Sequence, residues 1–169
     1  MATLTALTFH SLSSAAEALA IVERLQRQGQ MNVLDAATVK WPRRARKPEP
    51  HRQADTGRSP LDGSFWRLLF GIIFLAPRFE ATAAASGAVV SSLTDIGIDE
   101  VFIRDVRVHA TPNTSALFML SNGAVTDRVI EELDPLNPSV IATNLPKAKQ
   151  ARLFDIFALP PAPERSTAD

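Results

Sequence analysis

The sequence predicts an α+β domain, and three observations carry that expectation. A β-prone run from Thr3 to Phe9 leads into an amphipathic helical segment. Strand-like and helix-like segments alternate again from Glu100 to the final helix. Between these halves lies Ser64 to Leu93, an apolar, helix-compatible segment followed, after a Pro77-Arg78 break, by one made mostly of Ala, Ser, Gly and Val.

The bounds are those of one domain. The chain has 169 residues, 46% apolar and 21% charged, enough to bury a core at ordinary globular composition. Eighteen basic residues balance eighteen acidic ones, so no global charge points to nucleic acid, and none is expected as a partner. With no cysteine, disulfides, thiol chemistry and thiolate metal sites are excluded together. The start, MATLTALTFHSLSS, lacks a basic n-region and is interrupted by Thr and His10, so no export signal is read. The end, LPPAPERSTAD, is Pro-rich and polar. The expected organisation is one domain over 1–158 and a disordered tail over 159–169.

Thr3 to Phe9 carries apolar residues on both faces, which suits an interior strand. Ser11 to Ser14 offers N-cap hydroxyls to a helix running to about Gln28, with Ala15, Ala18, Leu19, Val22 and Leu25 on one stripe. Gly29 suits the residue just past its end. Asn32 to Trp41 reads as a second strand, with Ala37, Val39 and Trp41 alternating against Thr38 and Lys40. A third, around Lys47 to Ala54, contains Pro48 and Pro50, and prolines confine such a segment to a sheet edge.

Basic residues cluster between the second and third strands: Arg43, Arg44, Arg46 and Lys47. They are candidate contacts for an anionic surface such as lipid head groups. The plainer reading is a solvated hairpin tip whose charges discourage edge-to-edge pairing.

The first arm of the central stretch, about 61–76, bears Phe65, Trp66, Leu68, Leu69, Phe70, Ile72, Ile73, Phe74 and Leu75. Apolar groups cover most of its circumference, so it must be buried somewhere. The second arm, about 79–93, places Ala83, Gly87 and Ser91 at i, i+4 and i+8, a spacing that lets two helix backbones approach closely. A membrane span needs roughly 20 apolar residues. The first arm has about 13 and includes Arg67, and the second is flecked with polar residues. Three destinations remain: a re-entrant or interfacial hairpin in lipid, the chain's own core, or a contact between copies. The amount of apolar surface on Phe65, Trp66, Leu69, Phe70 and Ile73 favours the last.

Asp99 can cap a helix over about 100–108, with Phe102, Ile103 and Val106 as its stripe. Thr111-Pro112-Asn113 is a turn. Ser115 to Ser121 is an apolar run between turn signals, hence a buried central strand. Thr126 caps a helix bearing Val129, Ile130 and Leu133, which ends before Pro135. Ser139 to Asn144 is a last strand, and Pro146 opens a final helix with Phe154 and Phe157 inward.

Three stretches, DGSFWRLLFGIIFLAP, SSLTDIGIDEVFIRDV and TPNTSALFMLSNGAVTDRVIEEL, resemble a bacterial family catalogued as domain of unknown function 1269. Its members are commonly labelled predicted membrane proteins. The resemblance runs from the first strand to Phe157 and is most specific at Asp95-Ile96-Gly97-Ile98-Asp99 and Ser115-Ala116-Leu117-Phe118. It implies a ferredoxin-like β-α-β-β-α-β core with an inserted helical hairpin at about 61–93 and a C-terminal helix, and it brings no catalytic residues with it. This chain departs from the family pattern in its Pro- and Arg-rich β-hairpin and in Glu80, Thr82 and Ser86 of the second arm.

Catalytic constellations are thin. His10, His51 and His109 have no metal-ligand spacing and read as surface or capping residues. Asp95 and Asp99, with Glu100 beside them, could work as acid and base only if they converged in a cleft. As caps and turn formers around Gly97 they need no such role. Phosphate-loop, dinucleotide and nucleophile-elbow motifs are absent. No cofactor or metal is expected. The expectation is a non-enzymatic, cytoplasmic interaction protein that forms a homo-oligomer through the apolar hairpin. The alternative is a protein at the inner face of the membrane, its hairpin in or on the bilayer and its basic run on anionic lipid.

Overall fold

The computed structural model describes residues 2–46, 48–52, 63–75, 98, 100–123 and 125–157. The fold is α+β. Strand β1 (Ala2–Phe9) is followed by helix α1 (Ser14–Arg27), β2 (Val33–Trp41) and β3 (Glu49–Arg52). Helix α2 (Gly63–Phe70) continues as a π-helical turn, Gly71–Leu75. Then come α3 (Glu100–His109), β4 (Thr114–Asn122), α4 (Asp127–Leu133, with a 3-10 turn Asp134–Leu136), β5 (Ser139–Leu145) and α5 (Lys147–Phe157).

The five strands form one sheet in the order β3-β2-β4-β1-β5, every neighbouring pair antiparallel. The two strands with apolar residues on both faces, β1 and β4, lie in the interior, where both faces need covering. The short proline-bearing β3 lies at an edge, where Pro50 stands opposite Val39 and its missing N–H does least harm.

Alternation along β1 and β4 builds two cores. Ala2, Leu4, Ala6, Ala116, Phe118 and Leu120 face one way, toward α2, its π turn, α3 and α5. Leu7, Phe9, Leu117 and Met119 face the other, toward α1 and α4. Helices therefore cover the sheet on both sides.

Local signals act much as their chemistry dictates, with two differences. Gly29 takes a positive φ of 72° just past α1, and Thr126 accepts from the Val129 N–H to cap α4. Ser13 makes no side-chain cap on α1. The Ala15 N–H is instead met by Ser115 Oγ of β4 at 3.1 Å, so the cap comes from a strand a hundred residues away. The first arm, expected as one α-helix, widens into a π turn after Phe70. Its Ile72 and Ile73 carbonyls accept hydrogen bonds from Arg107 of α3. The tail 159–169 and the side chains of Phe154 and Phe157 lie outside the described residues.

Candidate association surfaces

The first arm is buried in its own chain. Phe65 and Leu69 are fully buried, and Trp66, Phe70 and Ile73 nearly so. Phe118 of β4 receives them: its ring lies 4.9 Å from Phe70 and 6.4 Å from Trp66, both edge-on. Trp66 also stacks on Phe70 and meets Phe65 edge-on. Each such side chain contributes about 1.5–3 kcal/mol on burial. The apolar circumference seen in the sequence is thus accounted for by the sheet on one side and by α3 on another. One polar atom suffers for it, because Trp66 Nε1 is buried without a hydrogen-bond partner among the described residues.

The second arm, with Ala83, Gly87 and Ser91, lies outside the described residues. So do Asp95, Gly97 and Asp99; Ile98 between them is fully buried in the core beside α3.

The basic tip joins β2 to β3. Trp41 Nε1 donates to the Ala45 carbonyl at 3.0 Å, and the Ala45 N–H donates to the Pro42 carbonyl at 3.0 Å. These bonds pin the turn and leave Arg43, Arg44 and Arg46 exposed, with no ion-pair partner among the described residues. Lys47 lies outside them. Beside the tip, Trp41 meets Phe74 edge-on at 6.1 Å. Val39, Trp41, Phe74, Ala110, Thr114, Ser115 and Ala116 line a shallow surface recess there that encloses no cavity.

Helix α3 presents two different sides. Phe102, Ile103 and Val106 are buried against the sheet, whereas Val101 and Val108 are 61% and 68% exposed. Arg104 and Asp105, between those valines, are exposed and have no ion-pair partner among the described residues. Arg107, on the flank, donates from Nε to the Ile73 carbonyl at 3.0 Å. Burial lowers the pKa of this guanidinium from its ordinary value, and Glu100 pulls it back up.

Sequence reasoning missed Arg107 and also Asp35, which is buried at a β-bulge with Oδ1 accepting from the Ala36 N–H. A basic residue on the shoulder of an apolar helical stripe is the one available signal for Arg107. The sequence alone carried no signal for Asp35. His10 is exposed, and His109 Nδ1 meets the Asp105 carbonyl at 2.9 Å, one turn back along α3. Among the described residues no group of three or more His, Asp or Glu is placed to hold a metal, and no helix is long and apolar enough to cross a membrane.

A family model described as a protein of unknown function, DUF1269, matches residues 60–158, from the start of the apolar arm through α5. Strands β1 to β3 lie before the match. No curated protein and no solved structure matches the chain.

Proposed function

The chain belongs to the DUF1269 family, and on that premise we propose that it is a non-enzymatic interaction protein that assembles with copies of itself. The observation carrying this reading is the unequal use of apolar side chains. Phe65, Trp66, Leu69, Phe70 and Ile73 are spent on the sheet of their own chain, whereas Val101 and Val108 stand in solvent on α3. The association surface therefore moves off the first arm. It falls to the outer side of α3 and to the second arm, whose Ala83, Gly87 and Ser91 suit close helix approach.

We read the fold as a ferredoxin-like β-α-β-β-α-β core extended by an edge strand and an inserted helical hairpin. The support is the run β2-β4-β1-β5, antiparallel throughout, with a helix after β1 and another after β4. In this reading β3 is the extension, and the first arm covers the sheet face opposite α1 and α4.

Light scattering on the full chain in detergent-free buffer tests the assembly. A discrete multimer is expected, and a monomer at every concentration overturns the reading.

A second reading is favoured by the tip. Three exposed guanidinium groups, with no ion-pair partner among the described residues, on a pinned turn suit an anionic bilayer, to which each adds about 1 kcal/mol near the surface. In this reading the chain sits on the membrane through Arg43, Arg44 and Arg46, with the hairpin in or on the lipid. Sedimentation with anionic and neutral vesicles tests it: binding should require anionic lipid and fall in the R43Q/R44Q/R46Q variant. Recovery of the whole protein in the supernatant with both vesicle types overturns it.

A further inference from the structure

We propose that the chain meets an anionic bilayer end-on at the turn between β2 and β3, with Trp41 and Phe74 as the apolar anchors beside its arginines. This rests on the membrane reading of the function and adds which side chains reach the lipid and which stay in the core.

Two kinds of side chain come together at that end. Arg43, Arg44 and Arg46 are exposed, with no ion-pair partner among the described residues. Glu49, which follows the turn, stands opposite Lys40 in the β2–β3 register, so a lysine offsets its charge. Trp41 opens the same turn and is half-buried, as is Phe74 from the π turn of the apolar arm. The two rings meet edge-on at 6.1 Å. Val39, Ala110 and Ala116 line the shallow recess with them, which extends the apolar surface beside the arginines. The folded arm thus delivers its end, and not its length, to the basic turn.

The polar atom of Trp41 is already satisfied. An indole that leaves water needs an acceptor for its N–H. Trp41 Nε1 donates to the Ala45 carbonyl at 3.0 Å, so the ring can enter the head-group layer without stranding that donor. The same bond ties the ring to the residue that Arg44 and Arg46 flank, so ring and charges are presented together with little ordering left to do. Tryptophan is enriched where membrane meets water. Charge alone attracts a protein over a Debye length and releases it in salt. An apolar anchor adds an attachment that salt does not screen. The rest of the first arm takes no part, because Phe65, Trp66 and Leu69 are held in the core against the sheet.

The chain has two tryptophans, which makes the test direct. W66F leaves Trp41 as the one indole, and W41F leaves Trp66. Full-length wild type and both variants are mixed with vesicles of phosphatidylcholine alone, or of phosphatidylcholine with phosphatidylserine, the phosphatidylcholine being brominated near its head group. Bromine quenches an indole only on close approach. In W66F, emission should shift to the blue and be quenched with the anionic vesicles and not with the neutral ones. Emission of W41F should be unchanged. Wild type should be quenched in part, which keeps the test decisive if W66F does not fold.

A wild type that sediments with neither kind of vesicle removes the inference and the membrane reading together. Binding to anionic vesicles with Trp41 unquenched leaves that reading standing and overturns the anchor. Quenching of Trp66 in W41F also overturns it, because the arm has then left the sheet for the lipid. Equal quenching by neutral vesicles overturns the part given to the arginines.

Discussion

Arg107 of α3 reaches across to the π turn and donates two hydrogen bonds, from Nε to the Ile73 carbonyl at 3.0 Å and from Nη2 to that of Ile72. A charged donor meeting two carbonyls of the π turn is the polar tie that joins the apolar arm to α3. Arg107→Met should cost about 1–3 kcal/mol, since bonds to charged groups are worth more than neutral ones and this group is only partly buried. Arg107→Lys should recover only part, because an ammonium cannot reproduce the planar fork. Urea unfolding measures both, and equal stability of Met and wild type would refute the tie.

The pH dependence follows from the sign of the shift. Folding lowers the Arg107 pKa, mainly by burial. A base so depressed gains stability only as pH rises through its folded pKa toward the unfolded one, and below both the cost is constant. An arginine stays charged throughout the neutral range. The Arg107→Met loss should therefore be the same at about pH 6 and about pH 8, and a loss that changes between them would assign the coupling to another group.

Thr5 lies fully buried in β1, and its hydroxyl has no hydrogen-bond partner among the described residues. Thr5→Val keeps the shape and the β-branch while removing a desolvated polar atom, so a gain of about 1 kcal/mol is expected. The urea midpoint should rise with no change in slope. A loss would mean that the hydroxyl is satisfied in solution.

Ser115 gives the opposite expectation for an equally small change. Its Oγ accepts from the Ala15 N–H at the start of α1 and donates to the Ser11 carbonyl. Ser115→Ala should cost about 1–2 kcal/mol, in the range of a lost N-cap. Amide exchange in the first turn of α1 should rise more than exchange in β4, which a general loosening of the sheet would not produce.

Phe118 sits where the first arm meets the sheet, fully buried between Trp66 and Phe70. Phe118→Ala should cost about 3–5 kcal/mol and shift Trp66 emission toward the red as water enters. If the arm were held chiefly by contacts with another copy, the loss would depend on protein concentration; buried as it is, the loss should be independent of it.

Among the described residues, the sequence by itself determined which segments become strands and helices, because period-two and helical spacing, caps and prolines are local chemistry. It placed β1 and β4 in the interior from their two apolar faces and β3 at an edge from its prolines. It also showed that the first arm had to be buried, since Phe65, Trp66, Leu69, Phe70 and Ile73 leave that helix little polar surface. What it left open was the partner, because an apolar helix carries the same signature whether a sheet, a second copy or lipid covers it. The tertiary structure decided that by packing the arm against Phe118, and it decided the π turn and the α1 cap in the same way. Arg107 and Ser115 act on groups 34 and 100 residues away. No local pattern encodes such a pairing, because only the closed sheet brings those atoms within hydrogen-bonding reach.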